Sequence, residues 1–170
     1  MRIIIRILWF ISLLGFLFNL FTTYGNLKEI LGVQVGNMVF SFSRTQYFFF
    51  FLGLFLLLNV ALYLYSILVR TAAKELLLIP NRDFWTMNFE NRKAVNSILN
   101  SWMWAIASTI NYLLIYWMLV VESQNHFEGS TITSTNWFYI PGLVMAASLI
   151  APFIRLMIKK INMLEQSERY

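Results

Sequence analysis

Four long stretches of this sequence carry no charged residue, and they constrain the fold more than any other feature. They run over 7–27, 45–69, 94–121 and 129–154. A helix needs about 20 mostly apolar residues to cross the roughly 30 Å hydrocarbon core of a bilayer. Backbone N–H and C=O groups in lipid must be paired internally, so such stretches are helices. The sequence therefore predicts an all-α integral membrane protein with four transmembrane helices.

The composition agrees with a membrane protein and excludes three other classes. Hydrophobic residues make up 59% of the 170 residues and charged residues only 12%, against about 45–50% and about 25% in soluble domains. So few charges would not cover a soluble core of this size, which excludes an ordinary globular enzyme and a disordered chain. The chain has no Cys, so it is not a secreted disulfide scaffold.

The distribution of basic residues predicts the orientation of the single membrane domain. An even number of spans places both termini on one side, with eleven of the thirteen Lys and Arg residues there and only Lys28 and Arg44 opposite. Cytoplasmic loops carry the excess of basic residues, so both termini are expected in the cytoplasm. The net charge of +5 then needs no nucleic acid as a partner. The predicted helices cover about 3–22, 46–69, 97–121 and 136–158.

The first outer loop contains a pattern typical of a small β-hairpin. Apolar residues alternate with other residues over 33–35 and again over 38–42. Gly36 and Asn37 lie between the two runs, and a two-residue turn needs residues that tolerate positive φ. The pattern predicts two short strands. The alternative is an irregular loop whose aromatic side chains enter the headgroup layer.

The inner loop between the second and third helices contains a turn and two aromatic anchors. Pro80 fixes a break in the chain after the second helix, and Asn81 suits a turn. Phe84 and Trp85 are expected at the inner membrane interface, where their apolar surface leaves water. Asn88 is placed to cap a helical entry into the third span.

The same inner loop resembles a segment of a known bacterial membrane family. Here the segment is Pro80-Asn81-Arg82-Asp83-Phe84-Trp85, followed by Glu90 and Arg92. It is similar to the Pro-Asn-Lys-x-Tyr-Trp…Glu-Arg segment of a family of unknown function that is grouped with SdpI-like proteins. The resemblance covers roughly residues 25–120 and implies a small multi-pass protein of the bacterial cytoplasmic membrane, without implying a reaction. This chain departs from the family in the outer loop, where the family has a Pro-x-His-Phe stretch and this chain has Gly32-Val33-Gln34-Val35, with neither Pro nor His.

Polar residues inside the spans predict a contact between the second and third helices. Asn100, Ser108 and Asn111 follow helical spacing and share one face of the third helix. Asn59, near the middle of the second helix, lies at a similar depth, about 15 Å from the inner end. The contact has two interpretations. It is either a structural link that contributes about 0.6–2 kcal/mol per hydrogen bond, or part of a hydrated substrate path.

Small residues on the fourth helix predict a helix-packing face. Gly142 and Ala146 are four residues apart, as are Ala147 and Ala151. Small residues at this spacing allow another helix to approach closely. The expected partners are the lipid bilayer and either other membrane protein subunits or further copies of the chain.

The chemistry-bearing residues favour a non-enzymatic role. The chain has no Cys, its only His is His126 in the second outer loop, and no Asp or Glu lies in the central part of a span. A thiolate site and a bis-His haem within this chain are thereby excluded, and the lack of acidic residues in the spans argues against a proton relay built by this chain alone. No cofactor or metal is expected, and the favoured function is a structural or regulatory membrane subunit. The resemblance supplies the alternative of a small immunity, sensor or transport-type protein, and a membrane enzyme ranks third.

Overall fold

The computed structural model describes residues 2–35, 38–71, 73, 75, 77, 79–126 and 139–167. The elements in these ranges, in chain order, are α1 (Arg2–Asn26), β1 (Ile30–Val35), β2 (Met38–Ser43), α2 (Arg44–Thr71), α3 (Arg82–Thr86), α4 (Phe89–His126) and α5 (Tyr139–Ser167). The helices α1, α2, α4 and α5 are long and apolar enough to cross a membrane. Within the described ranges, the prediction of four helices long and apolar enough to span a membrane is confirmed.

The helices extend beyond the predicted apolar spans, because polar residues at their ends continue the helical backbone. The largest difference is in α4, which begins at Phe89 rather than at 97 and is 38 residues long. The Oδ1 atom of Asn88 accepts a hydrogen bond from the backbone N–H of Asn91 at 2.8 Å, which confirms the predicted cap. At the other end of the chain, α5 continues through Pro152 to Ser167 rather than ending at 158. The predicted start of this helix at 136 lies outside the described residues.

The central element of the bundle is α4. It contacts α1, α2, α3, α5 and β1. Of the 18 most apolar consecutive residues of α4, 44% are buried inside the protein. Only 11% of the corresponding 18 residues of α5 are buried. The buried polar residues of α4, which are Asn91, Ser101, Ser108 and Asn111, are therefore placed among the other elements, while most of the described part of α5 is exposed.

Two hydrophobic clusters hold the two ends of the bundle. The hairpin-end cluster joins α1, α2, α4 and the hairpin, and consists of Phe16, Leu20, Leu27, Leu31, Tyr47, Phe51, Phe55, Leu114, Met118 and Val121. The α3-end cluster joins α2, α3, α4 and α5, and consists of Val69, Leu77, Trp85, Val95, Ile98, Leu99 and Leu156. Between the two ends, hydrogen bonds among polar side chains join α1, α2 and α4.

The two strands form the predicted antiparallel hairpin, in which Val35 lies opposite Met38. The predicted turn residues, 36 and 37, lie outside the described residues, and the alternative of an irregular loop is wrong. Asn125 of α4 holds the hairpin in place. Its Nδ2 donates to the Gly32 carbonyl at 3.2 Å, and its Oδ1 accepts from the Gly32 N–H at 3.0 Å. Because these two bonds satisfy backbone groups on the open edge of β1, the hairpin has a fixed position against α4.

Candidate functional site

A network of hydrogen bonds joins α1, α2 and α4 within the spanning region. Asn59 Nδ2 donates to Asn111 Oδ1 at 2.7 Å, and Asn111 Nδ2 lies 3.3 Å from Asn59 Oδ1. Asn111 Nδ2 also donates to Ser12 Oγ at 3.0 Å. Asn111 is completely buried. The structure therefore places the predicted contact between α2 and α4 and adds α1 to it.

Two of the four predicted polar residues meet in this network, and two lie elsewhere on α4. Ser108 is buried one helical turn from Asn111. Asn100 is half-buried and lies about 16 Å along the helix from Asn111, at 1.5 Å per residue. That distance places Asn100 outside the network. The face of α4 predicted from spacing is therefore longer than the part of it that contacts α2.

Two members of the network, Trp9 and Ser12, were not predicted. Trp9 Nε1 donates to Asn59 Oδ1 at 3.3 Å, and Ser12 Oγ donates to the Trp9 carbonyl at 2.6 Å. Trp side chains near the end of a spanning helix are enriched at the membrane interface, and this tendency gives no indication of a bond inside the bundle. The spacing of Trp9 and Ser12, three residues apart, puts both on one face of α1 and was the available indication.

The two asparagine amides are fully paired, which limits what the network does chemically. Asn59 Nδ2 has a further acceptor, the Phe55 carbonyl at 2.9 Å. A cavity of about 10 Å³ beside the network is lined in part by Trp9, Asn59 and Trp104, and this volume is about that of one water-sized probe. Such a cavity is too small for a substrate. The arrangement is suited to joining three helices.

The segment that was predicted as an interface anchor is held to α4 and α5. Asn81 has φ 55° and ψ 40°, a left-handed conformation that Asn adopts more readily than most residues, while Pro80 before it is exposed. Asn81 Oδ1 accepts a hydrogen bond from Lys160 Nζ at 2.9 Å, and the same Nζ lies 5.5 Å from the centre of the Phe84 ring. The Phe84 carbonyl accepts from Asn91 Nδ2 at 2.8 Å.

Trp85 differs from the expectation of a membrane-interface anchor. Its side chain is 0% exposed and belongs to the α3-end cluster. Phe84 packs against this cluster and remains partly exposed. The apolar surface of Trp85 thus leaves water by packing against protein. The residue type predicted the membrane interface for both Phe84 and Trp85. An aromatic side chain near a helix end is stabilised either at the interface or inside the protein, so the residue type does not distinguish the two.

The small residues of α5 form two faces rather than the single one predicted. A helix turns about 100° per residue, so the Gly142–Ala146 pair lies about 140° around the axis from the Ala147–Ala151 pair. All four residues are exposed. A Cβ atom added at Gly142 would meet nothing within 4 Å. The Gly142–Ala146 face is therefore open to a neighbouring helix.

A groove of about 460 Å³ lies between α4 and α5, and Ile5 of α1 also lines it. The groove exists because several side chains that line it are small, among them Ser101 and Ala105 on α4 and Ala151 on α5. On the same side of the bundle, Trp102 Nε1 donates to the Ser148 carbonyl at 2.9 Å and ties the two helices together. The groove is almost entirely apolar, with Arg155 at one end.

Comparison with known proteins adds no assignment. No family model, curated protein or solved structure matches the chain. Across the described ranges, no group of three or more His, Asp or Glu side chains is placed to hold a metal ion. The resemblance to the SdpI-like group stays a prediction, and a functional assignment depends on the geometry of this chain.

Proposed function

We propose that this chain is a non-enzymatic, multi-pass membrane subunit that assembles with other membrane proteins in a structural or regulatory role. The observation that carries the proposal is the exposed Gly142–Ala146 face of α5. Helices associate in lipid through close van der Waals packing, and small residues four apart permit that approach. A helix with this surface and so little burial inside its own chain is suited to contact a helix of another subunit.

The polar network supports the same proposal. Its two asparagine amides bond to each other and to groups of α1 and α2. In a hydrated substrate path we would expect amide groups that face an open, water-filled cavity. The network instead lies beside a cavity of about 10 Å³, which supports the interpretation of a link between helices.

The expected location is the bacterial cytoplasmic membrane, with both termini in the cytoplasm. The bacterial assignment comes from the resemblance of the inner loop to the SdpI-like group. The orientation comes from the distribution of basic residues, of which Lys93, Arg155, Lys159 and Lys160 lie around the α3 end of the bundle. Basic residues of this kind remain on the cytoplasmic side during insertion.

Reporter fusions test the orientation. We expect fusions placed after Gln124 and after Gln166 to report opposite sides of the membrane, with Gln166 in the cytoplasm, because one span separates the two positions. Enzymatic reporters that are active only outside or only inside the cytoplasmic membrane make the measurement. Activity on the same side for both fusions would contradict the four-span topology, and exchanged sides would contradict the orientation alone.

The assembly test compares two substitutions that enlarge a side chain on different faces of α5. Gly142→Leu fills the open face and is expected to shift the protein, solubilised in mild detergent, from a larger complex to a smaller species. Val144→Leu is the control, because Val144 is also exposed and lies about 180° around the axis from the centre of the Gly142–Ala146 face. Native gel electrophoresis and light scattering measure the size. A wild-type chain that leaves its own membrane in mild detergent as a monomer, with no other membrane protein bound, would contradict the proposal.

The ordered hairpin favours a second candidate, a small immunity or sensor-type protein. Asn125 fixes the hairpin, and Ile30 and Phe40 on it are 72% and 52% exposed. Exposed apolar side chains on a fixed scaffold are typical of surfaces that bind peptides or other proteins. A peptide or solute that slows hydrogen exchange of the strand amides would favour this candidate over the subunit role.

A further inference from the structure

We propose that the groove between α4 and α5 binds one anionic phospholipid, with an acyl chain in its apolar part and the phosphate at its basic mouth. The proposal does not depend on the subunit role proposed above. It follows from the size, depth and charge distribution of the groove.

The apolar part has the volume and length that an acyl chain requires. Its volume of about 460 Å³ lies within the roughly 300–1,000 Å³ range of small-molecule sites. On α5 its lining runs from Ser148 to Ile158, a rise of about 15 Å along the helix. This is half of the roughly 30 Å hydrocarbon thickness, and therefore the depth of one leaflet.

The mouth is a second cavity, of about 450 Å³, that continues the first. Ile98 and Arg155 line both. The mouth contains Lys93 of α4 and Arg155 and Lys159 of α5, against one acidic residue, Glu90. A guanidinium group forms paired hydrogen bonds with phosphate oxygens, and an ammonium group adds a point charge. The mouth therefore carries an excess of positive charge where an anionic headgroup would lie.

The order of apolar and basic residues distinguishes a phospholipid from other occupants. Towards the middle of α4 and α5 the lining is Ala105, Trp102 and Ala151, and towards the α3 end it is Lys93, Arg155 and Lys159. A phospholipid has the same order, from chain to phosphate. A spanning helix from another subunit would place apolar residues against Arg155, and a soluble phosphate would leave the apolar part unused. Basic pockets between helices near the cytoplasmic surface are typical sites for anionic headgroups.

The test measures lipid binding to the full chain. Native mass spectrometry in a mild detergent, with added phosphatidylglycerol or phosphatidylcholine, gives the affinity for each lipid. We expect the wild-type chain to bind one phosphatidylglycerol more tightly than phosphatidylcholine. The Arg155→Gln/Lys159→Gln variant should bind phosphatidylglycerol about 25-fold more weakly, because each basic side chain near an anionic surface contributes a factor of about five. Arg6→Gln, an exposed charge on α1 outside the groove, is the matched control and should stay within about twofold.

Two further variants separate the acyl and phosphate contributions. Ala151→Leu narrows the apolar part without changing the charge and should weaken phosphatidylglycerol binding. Lys93→Gln removes one exposed basic group and should weaken binding about fivefold, which provides a charge test if the double variant does not fold.

Three results would overturn the proposal. They are equal affinity for the two lipids, binding that none of the groove variants changes, and displacement of the lipid by inorganic phosphate at similar concentration. The last result would assign the mouth to a soluble anion. None of the three would bear on the assembly of the chain with other subunits, because that test uses the Gly142–Ala146 face.

Discussion

Trp85→Ala is expected to lower the free energy of unfolding by about 3–5 kcal/mol, the range for removing a buried Trp side chain. Trp85 is 0% exposed, and it packs with residues of α2, α4 and α5 in the α3-end cluster. Its loss leaves a cavity that lies between four elements, so the surrounding side chains cannot collapse into it without moving a helix. Val69 of α2 and Leu156 of α5 belong to the same cluster.

Phe89→Ala is the matched control, because it also removes an aromatic side chain near the start of α4. Phe89 is 77% exposed, so the expected change is below about 1 kcal/mol. Equilibrium unfolding of the purified chain by sodium dodecyl sulfate in mixed micelles, followed by far-ultraviolet circular dichroism, measures both variants. Equal effects for the two substitutions would place Trp85 at the membrane surface, as the sequence alone suggested.

The same substitution should expose the segment between α2 and α4 to proteases. In inverted vesicles, where the cytoplasmic face is outside, the wild-type chain is expected to resist cleavage between Asn81 and Asn88. Bonds from Lys160 to Asn81 and from Asn91 to the Phe84 carbonyl hold this segment. Loss of Trp85 raises the population of locally open states from which cleavage occurs. Rapid cleavage of the wild-type chain would contradict an ordered segment.

The number of spanning helices and the hairpin were predictable because each follows from a local pattern. Uncharged, apolar stretches of more than 20 residues form helices that span the lipid. Alternation on both sides of Gly36-Asn37 selects two strands. The Asn88 cap is equally local, since the donor at Asn91 is three residues away. Patterns of this kind do not depend on how the helices are arranged.

Which side chains are buried was less predictable, because burial depends on the position of α4 among the other elements. Trp85 was assigned to the membrane interface from its residue type, and Trp9 was not assigned to any contact. Trp9 instead donates to Asn59, and Trp85 is enclosed by protein. Similarly, the groove arises where Ser101 and Ala105 of α4 lie beside α5, and no sequence pattern places those two helices side by side.

Asn111→Leu is expected to lower the free energy of unfolding by about 1–3 kcal/mol, the sum of the hydrogen bonds that it removes. Asn111 is completely buried and bonds to Asn59 and Ser12, so its loss affects contacts with both α1 and α2. Tyr112→Leu is the control at the same depth, because Tyr112 is 45% exposed and should contribute little.

A double-mutant cycle separates the contact between the two asparagines from their other bonds. Asn59→Leu removes the acceptor of Trp9 Nε1 as well as the partner of Asn111. The combined Asn59→Leu/Asn111→Leu variant should be more stable than the sum of the single effects predicts, by about 0.6–2 kcal/mol. Such a coupling arises because, once one amide is gone, removing the other no longer breaks the bond between them.

The same variants decide between a structural link and a hydrated path. A structural link predicts that Asn111→Leu lowers stability or assembly and leaves the activity of each assembled complex unchanged. The substitution removes a contact between helices in that case, and complexes that still assemble retain their other contacts. Loss of a transport or catalytic activity at wild-type stability and wild-type assembly would instead show that the amides act on a solute. The Asn59–Asn111 contact would then be a functional site, and the proposal of a non-enzymatic subunit would have to be replaced.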